Sequence, residues 1–210
     1  MNKKLYFDIL PAEQKKLFDI FSHQKWLNSF YLVGGTALAL HIGHRCSIDF
    51  DFFSENDINN RIIIEKLSQT GNFELFSQSE NTVDGSINNV KVSFIAYKYP
   101  VLNSFINFKN ILIADILDIA LMKLQAIAGR GCKKDFIDIY YLLNYFSLSE
   151  LFEKHKEKYG HGISNQYHLL KSLAYFEDAE RDAMPKMTAN INWNNIKKTI
   201  IEKVGNLKIT

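Results

Sequence analysis

Residues 31–54, YLVGGTALALHIGHRCSIDFDFFS, constrain this chain more than any other stretch. An apolar run (Tyr31, Leu32, Val33) ends in Gly34-Gly35, and Thr36 opens a short apolar segment. After Gly43-His44-Arg45 comes Ile48-Asp49-Phe50-Asp51-Phe52-Phe53. The order reads as strand, glycine turn, helix, loop, strand. Side chains alternate along the second strand, so Asp49 and Asp51 share one face while Phe50 and Phe52 point the other way.

Two carboxylates held side by side are costly unless a cation lies between them, and oxygen ligands of this kind suit Mg²⁺ or Mn²⁺. The glycines lack a Cβ, which lets a phosphate approach the backbone. The N–H groups at the start of the following helix carry partial positive charge suited to phosphate oxygens. Each half also has a plainer reading: Gly-Gly after a strand can be a simple turn, and Asp-x-Asp can keep an edge strand soluble. The two together point to a phosphate cradle facing a pair of metal carboxylates.

In this combination the stretch resembles the polymerase-β-like nucleotidyltransferase superfamily, whose signature is Gly-Gly or Gly-Ser, a short helix, then Asp-x-Asp on a strand. More narrowly, GGTALAL…GHRCSIDFDFF resembles the AbiEii/AbiGii toxin branch. The resemblance implies transfer of a nucleoside monophosphate from an NTP onto a hydroxyl, with loss of pyrophosphate. Gly34, Gly35 and Thr36 would hold the triphosphate, and Asp49 and Asp51 the metal. The implied acceptor is the 3′ end of tRNA, and the implied partner an antitoxin protein encoded elsewhere. Arg45 and Ser47, in the loop before the carboxylate strand, could reach the triphosphate, although exposed loops carry such residues routinely. His41 and His44 have no evident third ligand and read as structural.

At 210 residues the chain can form one good core or two small ones, and its apolar content makes it globular. A net charge of +2 is too mild to mark a nucleic-acid binder by itself. Cys46 and Cys132 lie far apart with no zinc-ligand spacing, so reduced thiols in a cytoplasm are expected. The opening MNKKLYFDILPAEQKK has no signal-peptide core, and the apolar stretch from Ile111 to Ala128 is interrupted by Asp115, Asp118 and Lys123. No membrane segment is predicted.

The remaining pattern predicts an α/β (α+β) chain in two domains. Residues 1–110 would form a small mixed-sheet nucleotidyltransferase domain, and residues 111–210 a helical bundle that closes over the site. In the first, helices are expected from about Leu5 to Ser29 and from Asp57 to Gln69. Strands are expected at Phe73 to Ser79, Thr82 to Ile87 and Val90 to Tyr97, with turn chemistry at Asp84-Gly85 and Asn88-Asn89. The superfamily usually takes a third carboxylate from a later strand, and here Ser93 stands at that place. Serine is a poor ligand for a hard cation. Glu74 or Asp84 could substitute if the register allowed, or one metal could be held here and a second brought by the nucleotide.

In the second domain, helices are expected from Asp115 to Ala128, from Lys134 to Tyr145, from Gln166 to Phe176 and up to about Val204. The run DIALMKLQAIAGRGCKKDFIDIYYLL again resembles the AbiEii/AbiGii branch. The resemblance implies that Lys123 lies near the nucleotide phosphates and that Asp135 or Asp138 positions or deprotonates the acceptor. Read from the residues alone, Lys123 among apolar neighbours needs an anion or a route to water, and Asp135 could simply favour a helix start. Arg130, Lys133 and Lys134 form the best basic cluster. Two further readings stay open: a small-molecule acceptor, and a catalytically impaired nucleotide-binding protein, the latter suggested by Ser93.

Overall fold

The structure, a computed structural model, describes residues 5–207. The opening MNKK, part of the stretch that argues against a signal peptide, lies outside the described residues. The chain divides into two compact units, one running to Ile116 and one from Leu117 onward.

The first unit opens with a 3₁₀ turn at Phe7–Ile9, followed by α1 (Ala12–Ser22) and a second 3₁₀ turn at Lys25–Ser29. The single helix expected over residues 5–29 is therefore broken twice. Pro11 forces Leu10 into extended backbone and precedes α1, while His23 closes it. Next come β1 (Tyr31–Val33), α2 (Gly34–Ile42), β2 (Phe50–Ser54) and α3 (Asn60–Thr70). Asn59 caps α3 by accepting from the Ile62 N–H, which starts this helix three residues after the expected Asp57. The strands β3 (Phe73–Ser79), β4 (Thr82–Ile87), β5 (Val90–Ala96), β6 (Ile106–Phe108) and β7 (Ile111–Ile113) complete the unit.

All seven strands form one mixed sheet in the order β3-β4-β5-β2-β1-β7-β6. Its centre is antiparallel between β1 and β2 and parallel between β2 and β5. Because β7 pairs with β1, the sheet continues past residue 110, where the domain boundary was expected. Asp84-Gly85 is no turn but lies inside β4; a Cβ on Gly85 would collide with Phe73. The turn is made by Asn88 and Asn89, both at positive φ, which asparagine tolerates better than most residues.

One face of the sheet is the core. Phe50, Phe52, Val92, Phe94, Val83 and Ile87 are buried there, with Phe52 stacked on Phe94 at 5.0 Å between ring centroids. Leu17, Phe18 and Phe21 of α1 are also buried, and Phe21 meets Phe50 and Phe52 edge-on. The alternation Asp-Phe-Asp-Phe thus sends the rings inward and turns Asp51 to the other face.

The second unit is helical: α4 (Ile116–Gly129), α5 (Lys133–Leu142), α6 (Leu148–Ile163), α7 (Gln166–Leu173), α8 (Glu177–Glu180) and α9 (Trp193–Gly205). Gly160 breaks the helical backbone inside α6 at φ 72°, a conformation glycine adopts freely. Phe136 packs on Phe176 and Trp193, and Leu124, Ile139, Leu151, Leu173, Ile196 and Ile200 are buried.

Candidate active site

The site on the sheet unit grows from the junction of β1 and α2. The expected glycine turn is the first turn of α2 itself. Gly34 sits at φ 73°, and a Cβ there would overlap the Oδ2 of Asp51, so glycine is required both by the backbone and by the neighbouring carboxylate. A Cβ on Gly35 would come within 2.6 Å of Arg45 Nη2 and 2.8 Å of Ser47 Oγ. Gly34, Gly35, Arg45, Ser47 and Asp51 are therefore brought together. No side chain caps the start of α2, whose first-turn N–H groups suit an anion.

Asp51 is paired in register with Val33 on one side and Ser93 on the other. Asp49 lies one residue before β2, so it is held by other means than a strand ladder. Its carbonyl accepts from Thr36 Oγ1 at 2.5 Å and from Gln14 Nε2 at 3.3 Å, and Gln14 also donates to Thr36 Oγ1 at 3.2 Å. Thr36 is fully buried, so its hydroxyl fixes the Asp49 backbone and does not face a triphosphate. Any contact of Thr36 with phosphate is left to its backbone N–H. Arg45 is buried, with Nη1 donating to the Cys46 carbonyl at 3.0 Å, so it is not the exposed loop cation the sequence suggested. His41 Nε2 lies 2.7 Å from the Ala114 carbonyl, a structural contact.

The third-acid position is occupied differently from either alternative. Ser93 Oγ donates to Asp84 Oδ1 at 2.7 Å. Glu74 faces Ser86 from β3, three strands away from β2 in the sheet order. Among the described residues, no three His, Cys, Asp or Glu side chains could hold a metal ion in common. Neither Glu74 nor Asp84 thus replaces the missing carboxylate directly. The Asp51 carboxylate beside the glycine cradle, with Asp49 two residues before it, is a donor set that fits Mg²⁺, which is commonly bound through one or two carboxylates and substrate phosphates.

In the helical unit, Lys123, Asp135 and Asp138 come together. Lys123 Nζ lies 2.9 Å from Asp135 Oδ1 and 2.7 Å from Asp138 Oδ2, all three side chains being almost wholly buried. Arg130 adds Nε to Asp135 Oδ2 at 2.9 Å from a half-exposed position. Burial raises the pKa of Asp135, but the Lys123 charge and the Arg130 hydrogen bond outweigh it and hold the carboxyl below its usual range. Lys123 thus finds its anions in the protein, where the resemblance implied phosphates. The basic cluster is also divided: Lys134 is exposed, but Lys133 is buried, donating to the carbonyls of Glu180 and Asp182 and lying over the Trp193 ring.

The family model described as "Nucleotidyl transferase AbiEii toxin, Type IV TA system" matches residues 15–110 and 100–206. The chain belongs to the AbiEii family. It is a nucleotidyltransferase. An uncharacterised protein of Aquifex aeolicus (strain VF5) is 35% identical over 201 residues, covering 93% of this chain and 96% of the relative. In fold, the chain is similar to JHP933 from Helicobacter pylori, with TM-score 0.57, 18% identity, and 96% of this chain and 92% of that one covered. A proposed nucleotidyltransferase from H. pylori gives TM-score 0.55 and 16% identity, covering 93% and 94%.

Two positioning groups of this AbiEii chain escaped sequence reasoning. Gln14 stands on the apolar stripe of α1, in step with Leu17, Phe18 and Phe21, and is buried with them. A lone polar residue in such a stripe signals a partner across the core, although not which one. Asp182 accepts from the Lys133 N–H at 2.8 Å and so caps α5 from 49 residues away, which local patterning does not reveal.

Proposed function

We propose that this AbiEii protein transfers a nucleoside monophosphate from an NTP to an acceptor hydroxyl, with divalent metal, and that the acceptor is the 3′ end of tRNA. The observation that carries the reading is the contact of Gly34 with Asp51, which joins the phosphate cradle to the carboxylate strand. In this reading the first N–H groups of α2 bind the phosphates, and Asp49 and Asp51 hold the metal. Mg²⁺ when bound supplies charge neutralisation on the phosphates. Thr36 and Gln14 keep Asp49 in place through its carbonyl. The acceptor oxygen bonds to the α-phosphorus as the bond to the β-bridging oxygen breaks, pyrophosphate leaves with that electron pair, and the acceptor proton passes to a carboxylate or water.

Lys123, Asp135 and Asp138 enter by family resemblance, as residues that handle phosphate charge and the acceptor. In this reading an aspartate of the pair, Asp135 or Asp138, positions or deprotonates the acceptor. The biological role that follows is that of a toxin blocked by a cognate antitoxin, acting in a cytoplasm.

The deciding experiment incubates purified protein with Mg²⁺, total tRNA and each of four α-labelled NTPs, beside an Asp49→Ala/Asp51→Ala control. Label on RNA with the wild type alone is the expected result. Pyrophosphate release without labelled RNA would move the acceptor to a small molecule. Nucleotide binding without any turnover would leave a nucleotide-binding protein.

A further inference from the structure

The register of the sheet places Asp51, Ser93, Asp84 and Ser77 in one row across four adjacent strands, β2, β5, β4 and β3. Ser93 lies between the two aspartates and is buried. Its hydroxyl has one proton and two lone pairs. The proton is committed to Asp84 Oδ1 at 2.7 Å, and the other Asp84 oxygen accepts from Ser77 Oγ at 3.4 Å. A hydroxyl that donates to a carboxylate forms a strong, charge-assisted bond, and its oxygen becomes more electron-rich toward whatever lies on its other side. On that other side, one strand away at roughly 5 Å between backbones, is Asp51.

We propose that Ser93 and Asp84 together replace the third carboxylate: Ser93 supplies a neutral oxygen to the metal beside Asp51, and Asp84 is the positioning residue that holds its proton on the far side. This rests on the nucleotidyltransferase reading of the sheet face. Asp84 is separated from Asp51 by the whole Ser93 strand and has one carboxylate oxygen occupied by the Ser93 proton, so it acts through the serine. The site then carries two negative charges in place of three. It binds a divalent cation more weakly than a three-carboxylate site would, and its affinity depends on a residue that does not touch the ion.

The test is Mn²⁺ binding to the full chain, followed by loss of the free-ion paramagnetic resonance signal, with nucleotide transfer measured in parallel and Tm recorded for each variant. Ser93→Ala and Asp84→Ala should each weaken Mn²⁺ binding about tenfold. Adding Asp84→Ala to Ser93→Ala should change affinity no further, because the effect of Asp84 passes through the serine oxygen. Ser93→Asp with Asp84→Asn, which puts a carboxylate beside Asp51 and an amide donor behind it, should bind Mn²⁺ more tightly than the wild type. Should Asp84→Ala unfold the protein, Asp84→Asn takes its place, with a smaller loss of the same sign.

Unchanged Mn²⁺ affinity in the Asp84 variants, with binding abolished by Asp51→Asn, overturns the proposal and leaves the nucleotidyltransferase reading standing. A full additional loss from Asp84→Ala in the Ser93→Ala background also overturns it. Binding and transfer that survive Asp49→Ala/Asp51→Ala would remove the underlying reading, and this proposal with it.

Discussion

The acids of the sheet unit and those of the helical unit differ in the groups seen to hold them. On the sheet, the groups that fix the Asp49 backbone and the Asp84 carboxylate are neutral: the Thr36 hydroxyl and Gln14 amide on the Asp49 carbonyl, and the Ser93 hydroxyl on Asp84. In the helical unit they are ions: Lys123 between Asp135 and Asp138, Arg130 on Asp135, and a fully buried Lys158–Asp118 pair at 2.7 Å. Neutral scaffolding orients a charge without cancelling it, which suits the cation-binding role proposed for Asp49. Ionic scaffolding cancels charge locally, so removing one partner strands the other in the interior.

The comparison breaks most sharply on substitution of the acids themselves. Asp49→Ala/Asp51→Ala is expected to cost at least about 1000-fold in transfer, measured as label on acceptor, with Tm nearly unchanged. Lys123→Met should do the reverse in kind, lowering stability by about 3–5 kcal/mol in urea unfolding because two buried carboxylates lose their cation. If Lys123→Met leaves stability intact and removes only activity, the helical cluster is a working site of the same type as the sheet. Gly34→Ala forces both a strained φ and a clash with Asp51, and about a 100-fold loss of transfer is expected.

Smaller effects sharpen the contrast through pH. His155 is buried between Ser164 Oγ at 2.8 Å and Gln125 Oε1 at 3.2 Å, and burial pushes its pKa down to about 4. The unfolded chain takes up this proton near pH 6.5 and the folded chain does not, so stability should fall as pH drops from about 6.5 to 4. Tm measured across that range should flatten in His155→Gln. Asp135 acts in the same direction at lower pH: its lowered pKa contributes stability above about pH 3.8, and that contribution is lost as pH falls through the folded value. Last, Thr36→Val keeps the volume and deletes the donor to Asp49, and should cost about 1 kcal/mol of stability, read from the urea midpoint.

Much of the strand pattern was legible because alternation is local. Phe50 and Phe52 against Asp51 set which face of β2 is buried, and β3 and β4 begin and end at the residues expected from their runs. Three-residue strands carry no such periodicity, so neither β6 nor β7 was legible as a strand. The same limit explains the early domain boundary: β7 belongs to the sheet only through its pairing with β1. Lys123, Asp135 and Asp138 were legible as a group, but their mutual ion pairing was not, since it depends on how α4 and α5 pack.

By itself, then, the sequence determined which side chains of β2 alternate, with Asp51 opposite Phe50 and Phe52, and that glycines stand where a helix begins. It could do so because side-chain alternation and glycine's backbone freedom are properties of a few adjacent residues. Only the tertiary structure decided who stands next to whom across strands and helices. Asp84 reaches Ser93 through the β4–β5 register, Gln14 reaches Asp49 across 35 residues, and Lys123 meets two aspartates from the next helix. Such contacts follow from packing of the whole chain, which cooperative burial selects and no local stretch encodes.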